Sequence, residues 1–127
     1  MAGTRVAVVG ASTDRSKFGN KAVRAYQEAG YEVYPVNPHV PSVEGLPTYA
    51  SILDIPGGRL DRVTVYVPPA VGLKLLDQIA QKGANEVWLN PGADAPEVVA
   101  RAEQIGLNVV RACSILALGT RPDRYGP

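Results

Sequence analysis

At three places in this chain a glycine ends a stretch with helical apolar spacing, and an extended run begins within a few residues. The three phrases are Ala29-Gly30-Tyr31-Glu32-Val33, Lys82-Gly83-Ala84-Asn85-Glu86-Val87 and Ile105-Gly106-Leu107-Asn108-Val109. Glycine is favoured just past a helix because it takes a left-handed φ without steric cost. The preceding residues fit helices. Ala22, Val23, Tyr26 and Ala29 recur at helical spacing, as do Leu75, Leu76, Ile79 and Ala80, and Val98, Val99, Ala102 and Ile105 form an inward stripe over residues 95–105. Between them lie strands at Val6–Val9, Tyr31–Val36, Arg62–Val67, Glu86–Leu89 and Leu107–Val110. Asn37-Pro38 stops the second and Pro68-Pro69 the third, since proline cannot donate to a sheet ladder. Strands separated by helices of this length pair in parallel, and right-handed crossovers then cover both faces of the sheet. The expected architecture is a doubly wound α/β fold of three layers, with about five parallel strands, as one domain over residues 1–127.

Composition narrows the partners. With 127 residues, 46% of them apolar, the chain can bury one core and has no room for two. Thirteen Lys and Arg against twelve Asp and Glu leave a net charge of +1, so neither nucleic acid nor a membrane surface is favoured over a small molecule. Tyr26, Tyr31, Tyr34, Tyr49 and Tyr66 do not interleave with a basic stripe and are expected in packing rather than base stacking. Met1 leads almost directly into the short run Val6–Val9, and no twenty-residue apolar span follows, so neither a secretory leader nor a membrane span is expected. A single cysteine, Cys113, and the absence of zinc spacing fit a reducing, cytoplasmic setting without structural metal. A lone domain of this size could form a homodimer.

In a doubly wound sheet the ligand sits beyond the carboxyl ends of the strands, at the switch point beside the first. Those ends are Gly10-Ala11-Ser12, Val36-Asn37-Pro38, Val67-Pro68-Pro69 and Leu89-Asn90-Pro91-Gly92, the segments richest in Gly, Pro, Ser and Asn. The first continues as Thr13-Asp14-Arg15-Ser16-Lys17-Phe18-Gly19 into a helix. Glycine admits an anion to the backbone, Ser12 and Thr13 offer hydroxyls, and Arg15 and Lys17 offer charge. The helix start adds unpaired N–H groups and the positive end of its dipole. A diphosphate suits every one of these elements; a surface loop with an ordinary helix cap is the plain alternative. The dinucleotide fingerprint Gly-x-Gly-x-x-Gly is missing, and no acid ends the second strand to hold a ribose hydroxyl. No Gly-Lys-Ser/Thr marks a Walker A loop either. NAD and ATP hydrolysis both lose ground, and without a substrate domain binding is favoured over turnover.

The ordered strings Val9-Gly10-Ala11-Ser12 with Lys17-Phe18-Gly19-Asn20, Tyr34-Pro35-Val36-Asn37-Pro38, Gly45-Leu46-Pro47, Leu53-Asp54-Ile55-Pro56-Gly57 and Val65-Tyr66-Val67-Pro68-Pro69 resemble the CoA-binding domain family across nearly the whole chain. That family includes the amino-terminal domains of ADP-forming acyl-CoA synthetases and succinyl-CoA synthetase alpha subunits, and small stand-alone proteins. The resemblance implies a Rossmann-like fold that holds coenzyme A or an acyl-CoA. Gly10, Ala11, Ser12 and Lys17 would meet the phosphates, and Thr13, Arg15 and Phe18 of the same loop join them as cofactor-binding candidates. Asn37 and Pro38 would meet the adenosine end, Val67, Pro68 and Pro69 would wall the cleft, and Leu89, Asn90, Pro91 and Gly92 would take the far side.

The chain also departs from that pattern. The succinyl synthetases carry a lysine two residues beyond the proline after the second strand, where this chain has Val40, so Arg15 or Lys17 is expected to compensate. Asn90-Pro91-Gly92 stiffens a loop that usually carries an acidic or small polar residue. The phosphohistidine of the synthetases belongs to a following domain absent from this sequence, so ligase activity is not expected. His39, the single histidine, stands in a Pro-rich loop with no carboxylate fixed beside it and is expected to be exposed. Cys113 and Trp88 are expected in the core, and the segment from Leu116 to Pro127 to fray or pack on a neighbour. Two other functions stay open: an NAD(P)-binding enzyme or subunit, and an assembly domain with a vestigial cofactor site.

Overall fold

The computed structural model describes residues 4–127. Five parallel strands form the main sheet: β1 (Arg5–Val9), β2 (Glu32–Val36), β5 (Leu60–Val65), β6 (Ala84–Leu89) and β7 (Val109–Arg111), in the order β2-β1-β5-β6-β7. A two-stranded hairpin, β3 (Ser42–Val43) and β4 (Leu46–Pro47), flanks it. The helices are α1 (Phe18–Glu28), α2 (Pro69–Lys82), α3 (Pro96–Gln104) and the short α4 (Ser114–Ala117). The chain is thus α/β and Rossmann-like, and the order of strands reverses between β1 and β5, where such sheets open a crevice.

Alternation along the strands divides the core. Val6 and Val8 of β1 pack with Ala22, Val23 and Tyr26 of α1 and with Ile115 of α4. Ala7 and Val9 point to the other face, among Leu76 and Ile79 of α2 and Val98 and Ala102 of α3. No helix of the described residues is long and apolar enough to cross a membrane.

The strand limits differ from expectation, β1 and β6 by starting earlier, at Arg5 and Ala84, and the other three for local reasons. β5 runs Leu60–Val65 rather than 62–67, because Pro68 and Pro69 open α2 and pull the chain off the sheet; the Tyr66 N–H still donates to Val9 O at 2.8 Å as a last rung. β7 starts at Val109 rather than Leu107, because the Leu107 N–H closes α3 by donating to Ala102 O at 3.0 Å. β2 begins at Glu32, after the Tyr31 N–H has donated to Tyr26 O at 3.1 Å.

Trp88 corrects another expectation. It is only half-buried; its indole N–H donates to Glu86 Oε1 at 3.0 Å, and the Arg62 guanidinium lies 4.7 Å over the ring. Cys113 is likewise half-buried, at the start of α4. The segment beyond Leu116 folds back onto its own domain. Tyr125 is buried against the α1 side of the core and its hydroxyl donates to Glu28 Oε2 at 3.1 Å, while Arg124 pairs with Glu28 at 2.6 Å.

Candidate functional site

The loop between β1 and α1 is held by close packing at both ends. Gly10 turns the chain with φ +89°, and a Cβ there would stand 3.0 Å from the Tyr66 backbone. Gly19, in the first turn of α1, sits so tightly on Gly10 that a Cβ would lie 2.1 Å from the Gly10 oxygen. These two glycines do what the first and third glycines of the dinucleotide fingerprint do, turning the chain and seating the helix on the strand, across a longer loop. α1 begins at an extended Lys17 with no side-chain cap, which leaves first-turn N–H groups available to an anion.

Buried Asn20 braces the loop from below. Its amide donates to Ser12 O at 2.9 Å and to Glu44 Oε2 at 3.0 Å, and its oxygen accepts from Arg24 Nε at 2.8 Å. Glu44 reaches in from the β3–β4 turn, where it takes φ 50° beside Gly45 at φ 80°. It also pairs with Arg15 at 3.4 Å, so that guanidinium is turned to Glu44 and not to the crevice. Within the loop, Asp14 accepts from the Ser16 hydroxyl at 2.6 Å and from its backbone N–H at 3.0 Å, which together hold the carboxyl below its ordinary pKa.

Beyond the strand ends the crevice has two lobes. The first, about 390 Å³, lies between β2 and β5, with Val36, Asn37 and Pro38 on one wall and Val71, Leu75, Gln78 and Ile79 of α2 on the other; Ser51 and Ile52 close it. The second, about 540 Å³, lies between β5 and β6 and is framed by Phe18, Pro68, Pro69, Pro91 and Gly92. Gly10, Lys17, Tyr66 and Val67 line both, forming a waist where the lobes meet. Lys17 makes no ion pair among the described residues and is exposed.

Most residues expected at the site line one lobe or the other: Gly10, Ala11, Ser12, Lys17, Phe18, Asn37, Pro38, Val67, Pro68, Pro69, Pro91 and Gly92. Four do not. Thr13 points to solvent and Arg15 to Glu44. Leu89 is fully buried in the core, being the last inward residue of β6. Asn90 is also buried: its amide donates to Thr64 Oγ1 at 2.7 Å and to Val65 O at 2.9 Å, and its oxygen accepts the Ser114 N–H at 2.9 Å. Its polar atoms fasten β6 to β5 and α4 beneath the site. Asn37 lines the first lobe but spends its side chain on the loops, donating to Ala11 O at 2.8 Å and accepting the His39 N–H at 2.7 Å.

Sequence reasoning missed Tyr66, Ser51 and Gln78. Tyr66, expected in packing, stands at the waist, its hydroxyl 3.1 Å from Ser114 Oγ; burial raises its pKa well above the ordinary phenol value. Ser51 and Gln78 come from a loop and from the third turn of α2, with no motif to mark them. The only hint was helical spacing, since Val71, Leu75, Gln78 and Ile79 share one face.

A family model described as the CoA binding domain matches residues 4–119. The chain belongs to the CoA-binding domain family. Among its relatives in that family, it is 35% identical over 83 residues to the alpha subunit of an ADP-forming acetate–CoA ligase II of Pyrococcus furiosus, an alignment covering 65% of this chain and 18% of the ligase subunit. It is 27% identical over 106 residues to YneT of Bacillus subtilis, covering 84% of this chain and 78% of that protein. The CoA-binding domain therefore spans only between 11 and 18% of three ADP-forming acetate–CoA ligases it matches. Among solved structures it superposes with a TM-score of 0.80 and 30% identity on a conserved hypothetical protein from Pyrococcus furiosus, covering 90% of this chain and 98% of that one. A dinucleotide-forming acetyl-coenzyme A synthetase 1 from Ca. Korarchaeum cryptofilum, solved with phosphate and ADP, matches with a TM-score of 0.74 and 29% identity, over 87% of this chain and 26% of the synthetase.

Proposed function

We propose that the protein binds coenzyme A or an acyl-CoA across the waist of the crevice and performs no catalysis of its own. The observation that carries this reading is the pair of lobes joined at Gly10, Lys17, Tyr66 and Val67. A ligand with a charged diphosphate in the middle and a bulky group at each end matches that shape. Backbone N–H groups at the uncapped start of α1 would hold the diphosphate, with Gly10 letting it approach the backbone, Ser12 donating its hydroxyl and Lys17 supplying charge. Ser12 already accepts the Asp14 N–H at 3.0 Å, which leaves its own proton free to donate. The first lobe would take the adenosine end and the second the pantetheine arm. Bound CoA would supply a thiol able to carry an acyl group as a thioester.

The titratable side chains lining the lobes, Lys17, His39 and Tyr66, have no carboxylate hydrogen-bonded to them among the described residues, so no general acid–base pair is set up. Cys113, a single half-buried thiol, suits a reducing, cytoplasmic setting. Isothermal titration with CoA, acetyl-CoA, NAD and ATP tests the reading. Binding of the CoA species in preference to NAD and ATP is expected; no heat from either CoA species while NAD binds overturns it.

A further inference from the structure

Where α2 walls the first lobe, its lining side chains Val71, Leu75 and Ile79 are apolar and Gln78 alone is polar. Gln78 faces the loop that carries Ser51, and both line the lobe. The Ser51 hydroxyl donates to Gln78 Oε1 at 3.1 Å. Ser51 is itself fixed, because its oxygen accepts the Leu53 N–H at 3.1 Å and its backbone N–H donates to Asp54 Oδ2 at 3.2 Å, closing a capping box around the 3₁₀ turn Ile52–Asp54. The amide of Gln78 is therefore oriented before any ligand arrives. Its NH₂ group makes no hydrogen bond among the described residues, and its oxygen keeps one lone pair.

We infer that Gln78 is the residue that selects the base of the nucleotide end, reading adenine and rejecting guanine. This rests on the proposed binding of CoA and adds to it the group that distinguishes one purine from another. A planar base between Val36 and Ile52 on one side and Val71 and Leu75 on the other would bury its faces against aliphatic side chains. Its edge would then meet the amide. Adenine presents an exocyclic N–H donor next to a ring-nitrogen acceptor, the complement of a glutamine oxygen and NH₂. Guanine presents O6 in place of that donor, so oxygen would face the Gln78 oxygen in the orientation in which it accepts the Ser51 hydroxyl. Ser51 is thus a positioning residue, acting through Gln78 rather than on the base.

The test is calorimetric titration of the whole protein with adenosine 3′,5′-bisphosphate, guanosine 3′,5′-bisphosphate, 4′-phosphopantetheine and CoA. The unmodified protein is expected to prefer the adenosine over the guanosine compound by about tenfold or more, the range of a single good bidentate contact. Gln78→Leu brings the ratio close to one while 4′-phosphopantetheine binds within about twofold of its original affinity. Gln78→Glu keeps the size of the side chain but lacks the amide donor, and it too lowers the ratio; Ser51→Ala lowers it by less. Retention of the full preference in both Gln78 variants overturns the inference, as does a loss confined to 4′-phosphopantetheine, which would put the other end of the ligand in this lobe. CoA binding with an unchanged base ratio refutes the role of Gln78 and leaves the proposed function standing. Absence of CoA binding to the unmodified protein removes both.

Discussion

Gly19 and Gly10 are packed backbone to backbone, so that a methyl group on Gly19 would lie 2.1 Å from the Gly10 carbonyl oxygen. Neither partner is a flexible side chain that can move aside. Gly19→Ala is therefore expected to push α1 away from β1 and to destabilise the protein by about 1–3 kcal/mol, the usual range for overpacking. Urea unfolding measures it, and a variant as stable as the original would show that the helix start yields freely.

Lys17 and Arg15 stand two residues apart in one loop, but Arg15 is engaged by Glu44 at 3.4 Å and Lys17 makes no ion pair among the described residues. Lys17→Ala is expected to weaken CoA binding about tenfold, as for a charge-assisted contact to phosphate, and to reduce the salt dependence of binding. Arg15→Ala should change affinity much less. Equal losses in titrations of the two variants would assign the phosphate contact to both.

Asn90 sits under the site rather than in it. Asn90→Ala leaves the Thr64 hydroxyl, Val65 O and the Ser114 N–H without that partner in a buried region. A loss of about 2–4 kcal/mol in unfolding free energy is expected, since each buried polar group stranded in this way costs about 1–3 kcal/mol. CoA affinity, measured where the variant is still folded, should stay within about twofold. A large loss of affinity with intact stability would return Asn90 to the set of ligand contacts.

Tyr26 and Tyr66 make stability fall at alkaline pH. Burial raises both phenols in the folded state above the ordinary value of 10.0, although Arg62 and Ser114 hydrogen bonds partly offset this. The folded state therefore holds its protons more tightly than the unfolded chain. The stability this contributes is fully present below pH 10 and is lost as the pH rises above it, once unfolded tyrosines ionise. Denaturation midpoints between pH 9 and 11 should decline, and Tyr66→Phe should flatten the decline while costing about 1 kcal/mol at neutral pH through its lost hydrogen bond to Ser114. An identical slope in that variant would remove Tyr66 as a source.

Glycine punctuation and apolar periodicity were enough to place the strands and the main helices, because both are local properties of the chain. Gly30, Gly83 and Gly106 each take a positive φ at a helix end, as their position in the sequence requires. The β1 loop was legible for the same reason, since a strand, a glycine and a helix start are contiguous. The errors fell where a distant partner decides. Arg15 looked like a phosphate ligand until a hairpin with Glu44 at its turn folded onto it, and Asn90 looked like a loop ligand until Thr64 and Ser114 buried it. Trp88 looked like core because its strand is buried, yet it is only half-buried, its ring lying under the Arg62 guanidinium. Tyr66, Ser51 and Gln78 carry no motif; they line the crevice only because parallel pairing brings the ends of β1 and β5 together and α2 lies along their flank. The sequence by itself determined which segments become strand, helix and phosphate loop. Tertiary structure alone decided which polar side chains face the crevice, because the choice depends on which of them find hydrogen-bond partners when the layers close.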